Sequence, residues 1–299
     1  MNTLSERLDQ QLVDLAWSLW TELGVAGVYR SHQQFMIFPE ELILLTARLQ
    51  RNDPRLVEEA LDWCSRYHHF ISVSRLKTLA KSWGKVTIDA FSMFSATLNR
   101  VSRAHWPVLA HAVPLKYQPS GKSKAPRFEQ PALLLFRLRS LFGVGARADV
   151  IAFYLAQKQG NYSISDVTEV GYTKRNLADV LENFVQAGIF DSFFSRNQQR
   201  FDFAKRGEFE KVLGPIPQFM PSWRQIFEVI ILLSDSIQQI EKKSQSTRVV
   251  EVRNVLGGMK NQLNRLKLAA PPLQSDFQMY WDSLSEWILK ILPSLTGGV

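Results

Sequence analysis

Between Ser163 and Phe190 one helix has to stop and another has to start within three residues. In "SISDVTEVG" (163–171) Ser163 and Asp166 stand at capping-box spacing, which opens a short helix, and Gly171 ends it. Thr173 is placed to cap the next helix through its hydroxyl. Leu177, Val180, Leu181, Phe184 and Val185 then recur at helical spacing and form one apolar stripe, and Gly188 supplies a left-handed end. Two helices joined by so tight a turn make a helix-turn-helix. Capping needs only Thr173. Lys174 and Arg175 beside it stand at the positive end of the helix dipole, which disfavours cations by a few tenths to about 1 kcal/mol.

A polyanion outside the chain would offset that cost. The start of a helix offers unpaired N–H groups to a phosphate. Arginine grips guanine with two hydrogen bonds, and asparagine pairs in the same way with adenine, so Arg175 and Asn176 suit base edges. The alternative is a solvated polar rim on an ordinary helical hairpin. The stretch that follows, "FDSFFSRNQQRFDFAK" (190–205), reads as two short strands around a polar turn. Its tip gathers Arg196, Asn197, Gln198, Gln199 and Arg200, the composition of a wing against a groove or backbone. Polar turns are also expected without any partner. Lys205 and Arg206 either extend this footprint or solvate a loop. Upstream, "PALLLFRLRSLFGVG" is a short apolar helix stopped near Gly143, and "ARADVIAFYLAQKQG" is a helix with a stripe of Val150, Ile151, Tyr154 and Leu155, ended by Gly160.

Taken in order, "ARADVIAFYLAQKQ", "SISDV", "GYTKRNLADVL" and "AGI" leading into the hairpin resemble the winged helix-turn-helix of bacterial transcription regulators of the ArsR/MarR type, over about residues 145–205. The segment "FPEELILLTARLQRNDPRLVEEALDW" is similar to a wider group of bacterial winged-helix proteins. The resemblance implies sequence-specific binding of double-stranded DNA, as a homodimer on a pseudo-palindromic site, with the second helix in the major groove. Carried over residue by residue, it puts Thr173, Lys174, Arg175, Asn176 and Asp179 on the DNA side and makes Arg196 and Arg200 wing contacts. Metal sensing in that family uses cysteine clusters. This segment has no cysteine, so no metal and no cofactor is implied.

The rest of the chain reads as helix. Leu8, Leu12, Leu15, Leu19 and Leu23 fall on one face after Ser5, a candidate cap. Pro39 and Pro54 each open a helix, the second capped by Asp53, and helical patterns continue to about residue 110. "VPLKYQPSGKSKAPRFEQP" (113–131) has four prolines and no apolar period, and reads as an extended linker. After "GPIPQFMPSW" come helical stretches near 222–243, 246–267 and 273–292, with Gly257 and Gly258 interrupting the middle one. The expected organisation is a helical bundle (1–112), a linker (113–130), a winged helix-turn-helix with a small β-hairpin (131–213) and a helical C-terminal region (214–299). The fold class is mainly α.

Charge sets limits on the partner. The formal net charge is +8, spread as 16 Lys/Arg against 11 Asp/Glu in residues 1–127, 11 against 10 in 128–211 and 9 against 7 in 212–299. There is no basic tail, so folding has to localise any polyanion-binding surface. No apolar run reaches the roughly 20 residues of a membrane span. A cytoplasmic, nucleoid-associated protein that does not engage membranes is therefore expected. Cys64 is the single cysteine. It lies one helical turn from His68, a spacing that suits two metal ligands or a thiol–imidazole pair but equally a core cysteine beside an aromatic cluster. Glu58, Glu59 and Asp62 read as the wet face of a helix. "GVGARA" (143–148) lacks the Lys-Ser/Thr of a phosphate loop. No motif points to an enzyme. A different class of function also fits, a winged-helix scaffold that binds protein, such as an accessory or neutralising subunit of a toxin or defence system. The helical N- or C-terminal parts then offer a partner surface.

Overall fold

The computed structural model describes residues 3–27, 32 and 34–296; the outermost parts of the two flanking segments, residues 1–2 and 297–299, lie outside these. The leucine repeat makes α1 (Leu4–Glu22), whose Leu8, Leu12, Leu15 and Leu19 enter the core. Its cap is Thr3, not Ser5. Thr3 and Glu6 exchange hydrogen bonds as a capping box. Ser5, inside the first turn, donates to Glu241 at 2.7 Å, and the Leu4 N–H reaches the same carboxylate at 2.6 Å. The C-terminal region thus closes the first turn of the first helix.

Helices α2 (Pro39–Arg48), α3 (Pro54–Tyr67), α4 (Val73–Ser82) and α5 (Lys85–Val101) complete the bundle. Asp53 caps α3, with Pro54 in its first turn. Helix α5 stops at Val101, short of the expected residue 110. There Asn99 accepts the Trp106 N–H (2.7 Å) and donates to the Trp106 carbonyl (2.8 Å), which turns the chain back. Residues 103–128 have no regular element and lie along the bundle. Asp62, expected on a wet face, is instead buried at 0% exposure. Its carboxylate accepts the N–H groups of Gly121 (2.6 Å) and Ser123 (2.9 Å), because an extended segment packed on helices must find acceptors for its amides. Arg66 holds the carbonyls of Gly121 and Ser123 from the same helix.

The centre of the chain is α6 (Leu134–Phe142), α7 (Ala146–Ala156), β1 (Tyr162–Ser163), α8 (Ile164–Val167) with a 3-10 turn over Thr168–Val170, α9 (Lys174–Gln186), β2 (Asp191–Ser195), β3 (Gln198–Asp202) and α10 (Arg206–Leu213). The sheet is antiparallel in the order β1-β3-β2. Helix, strand, two helices and a hairpin that pairs back on the first strand make a winged helix-turn-helix. Helix α7 is buried on every side except at Arg147, so the four-residue stripe understates its burial. It ends at Ala156 rather than Gly160. Arg206 donates to the carbonyls of Tyr154, Leu155 and Gln157 and pairs with Glu210 at 2.7 Å. Arg206 is therefore a helix cap, satisfying carbonyls that the helix leaves open.

Helices α11 (Trp223–Ile240), α12 (Gln245–Gly258), α13 (Lys260–Arg265) and α14 (Phe277–Thr296) follow, with the break after Gly257–Gly258 as the glycine pair foretells. No helix among the described residues is long and apolar enough to cross a membrane. The segments interlock. Ile37 N–H bonds the Ala132 carbonyl, Phe35 bridges to Phe219, and the Trp223 indole donates to the Met36 carbonyl. A single apolar cluster runs through the bundle, the winged helix and α11 to α14.

Candidate nucleic-acid interface

The turn between α8 and α9 is built by Gly171, at φ +89°. The positive φ favours glycine, and a Cβ there would press on the Arg75 side chain of α4, 3.0 Å from its Nε. Tyr172 donates to Asp149 Oδ2 of α7 at 3.2 Å, which fixes the turn to the helix beneath it. Thr173 is extended and its hydroxyl accepts the Asn176 N–H at 3.3 Å. Leu177, Val180, Leu181 and Phe184 are buried towards α7 and α8, while Lys174, Arg175, Asn176 and Asp179 face solvent. Neither Lys174 nor Arg175 has an ion pair or a hydrogen-bond acceptor among the described residues. The leading end of α9 is thus open, with unpaired N–H groups and two uncompensated cations.

The wing turns through Arg196 (φ +48°) and Asn197 (φ +58°). Two central residues with positive φ match the hairpin turn whose twist fits its strands. Arg196, Asn197 and Gln198 are exposed at the tip. Arg200 differs from them. It is half-buried and donates to the carbonyl (3.2 Å) and side-chain oxygen (3.4 Å) of Asn161, so its guanidinium fastens β3 to the loop ahead of β1. Phe193 and Phe194 on the edge strand β2 are 44% and 78% exposed. Successive strand residues face opposite ways, so β2 is uncovered on both faces.

Behind the turn lies a buried ionic cluster that the sequence reading missed. Arg139 of α6 binds Glu40 of α2 (2.7 Å) and Asp149 of α7 (3.1 Å) and donates to the Phe70 carbonyl. Arg75 of α4 pairs with Glu40 (3.0 Å) and with Glu41. Burial alone would raise the Glu40 carboxyl, but Arg139 and Arg75 outweigh it and hold the group below its usual range. Burial, reinforced by the Glu40 charge, lifts Glu41 to about 7 against the pull of Arg75. The only available signal was charge inside apolar runs, Glu40–Glu41 before "LILL" and Arg139 within "LLLFRLRSLF".

Cys64 is buried, and burial pushes its thiol well up, which suits a core residue and not a reactive thiolate. Among the described residues no group of three or more His, Cys, Asp or Glu side chains is placed to hold a metal ion. Comparison of the chain with protein-family models, curated proteins and solved structures gives no match.

Proposed function

We propose that this chain is a DNA-binding transcription regulator that sets α9 in the major groove of double-stranded DNA and rests the wing tip on the flanking backbone. The observation that carries it is the exposed, unpaired Lys174–Arg175 at the open end of α9. In an isolated protein that arrangement is electrostatically unfavourable, and a phosphate against the same N–H groups reverses its sign. Asn176 and Asp179 lie on the same exposed side and supply base-reading chemistry, Asp179 as an acceptor for a cytosine amino group. Arg196, Asn197 and Gln198 are free at the wing tip for backbone contact. A homodimer would present two such helices to half-sites one helical turn, about 34 Å, apart. This work belongs at the nucleoid, and it is a binding role, not an enzymatic one.

The test is recovery of sheared genomic DNA on the purified full-length protein, followed by sequencing. Enrichment of fragments sharing an inverted repeat, lost in Lys174→Ala/Arg175→Ala, is expected. Recovery that is uniform across the genome or unchanged in the variant contradicts the proposal.

One observation favours the protein-binding alternative, the exposed Phe193 and Phe194 on an open strand edge. An edge strand with apolar side chains is a template for strand addition by another chain. On that reading a stoichiometric protein, not DNA, accompanies the purified chain, and Phe194→Ala releases it.

A further inference from the structure

A cavity of about 740 Å³ opens between α8 and its 3-10 turn, the start of α11, and α13, with α2 and α4 at its floor. Its floor is the edge of the ionic cluster. Glu41 is 1% exposed, and while one carboxylate oxygen holds Arg75, the other has no hydrogen-bond partner among the described residues. An unpaired buried carboxylate oxygen is costly, which makes it a strong acceptor for any donor that reaches it. The local charge is also incomplete. Among the described residues Glu40, Glu41 and Asp149 pair only with Arg75 and Arg139, so the cluster is balanced while Glu41 keeps its proton and lacks one positive charge once Glu41 ionises. On the wall above, Glu228 of α11 is half-buried and its carboxylate has no partner among the described residues. The two other wall acids are occupied. Asp166 serves the capping box with Ser163, and Glu169 takes the Ser222 hydroxyl.

We propose that this cavity binds a small polar molecule bearing a primary ammonium or guanidinium group, which donates to the free oxygen of Glu41 and to Glu228. The ligand cation supplies the charge the cluster lacks when Glu41 is ionised, as it is when it accepts from the ligand. Arg224 and Arg265 also border the cavity and have no ion pair among the described residues, so the same ligand can carry an anionic group towards them. The site does not depend on DNA binding and is tested without DNA.

The probes are agmatine and L-arginine, with citrate as the anionic control, titrated calorimetrically into the full-length protein. At least one of the two guanidines should bind with 1:1 stoichiometry and citrate should not. Glu41→Gln and Glu228→Gln should each weaken binding at least tenfold. Circular dichroism establishes that each variant is folded, and if Glu41→Gln does not fold, Glu228→Gln decides. Absence of binding by both guanidines, binding of citrate in their place, or guanidine binding unchanged in the folded variants overturns the proposal.

Discussion

Glu41 sets the clearest expectation for a single residue. Its carboxyl is lifted to about 7, so between its ordinary value and 7 the folded chain holds a proton that the unfolded chain has lost. Stability from this group is therefore greatest in acid and falls as pH rises towards 7, by on the order of 3 kcal/mol over the window. Glu40 acts in the opposite sense, since its lowered carboxyl stabilises the fold above the ordinary value and loses that contribution as pH falls. Urea midpoints from pH 5 to pH 8 should fall in the wild type and be nearly flat in Glu41→Gln; equal slopes would mean that Glu41 is not the titrating group. Beyond charges set within apolar runs, this was not legible from the sequence. Acids in the first turn of a helix look like ordinary dipole partners, and nothing in their spacing indicates that Glu40 turns inward to an arginine 99 residues further on. Asp62 was misread for the same reason, because its partners are backbone amides on a distant extended segment.

At the scale of the element, α9 carries two demands that pull apart. Thr173 closes the helix end, whereas Lys174 and Arg175 leave it charged. Thr173→Ala should lower stability by about 1 kcal/mol through loss of the cap. Thr173→Asp keeps a capping oxygen and adds a negative charge favoured by the dipole, so it should raise stability by roughly 0.3–1 kcal/mol while weakening DNA binding. Denaturant melts and binding isotherms on the two variants check the pair of signs; an Asp variant that binds DNA as well as the wild type would detach this helix end from the interface. Helices α8 and α9 and the hairpin were readable because their signals are local: the Ser163–Asp166 box, Gly171, the apolar stripe and a polar turn between two strands. The cap of α1 was equally local, since Thr3 and Glu6 stand at capping-box spacing, whereas the end of α5 and the Ser5–Glu241 contact were not readable, because Asn99–Trp106 and Ser5–Glu241 are made only after the chain folds back. Strand alternation likewise leads one to expect one of Phe193 and Phe194 to be covered, and an edge strand with nothing over either face removes that expectation.

Across the whole molecule, the winged helix is held by its neighbours. Arg139 has Glu40 as a partner from the bundle, Gly171 rests on Arg75, and Glu169 holds Ser222 ahead of α11. Removing one partner of a buried pair costs about 3–5 kcal/mol, a large share of a typical stability of 5–15 kcal/mol. Residues 131–213 expressed alone should therefore show no cooperative thermal transition, where the full chain does; a sharply melting fragment would show that the cluster is dispensable. The same rigidity gives α9 a fixed platform, which direct readout of base edges requires. The central claim is that Lys174 and Arg175 meet an external polyanion. Its most direct test is the salt dependence of duplex DNA binding, followed by fluorescence anisotropy from about 50 to 200 mM salt on a fragment recovered from the genome. Loss of two phosphate contacts in Lys174→Ala/Arg175→Ala should make the log–log slope shallower by about 2 and weaken binding throughout. The same slope and affinity in wild type and variant would contradict the account.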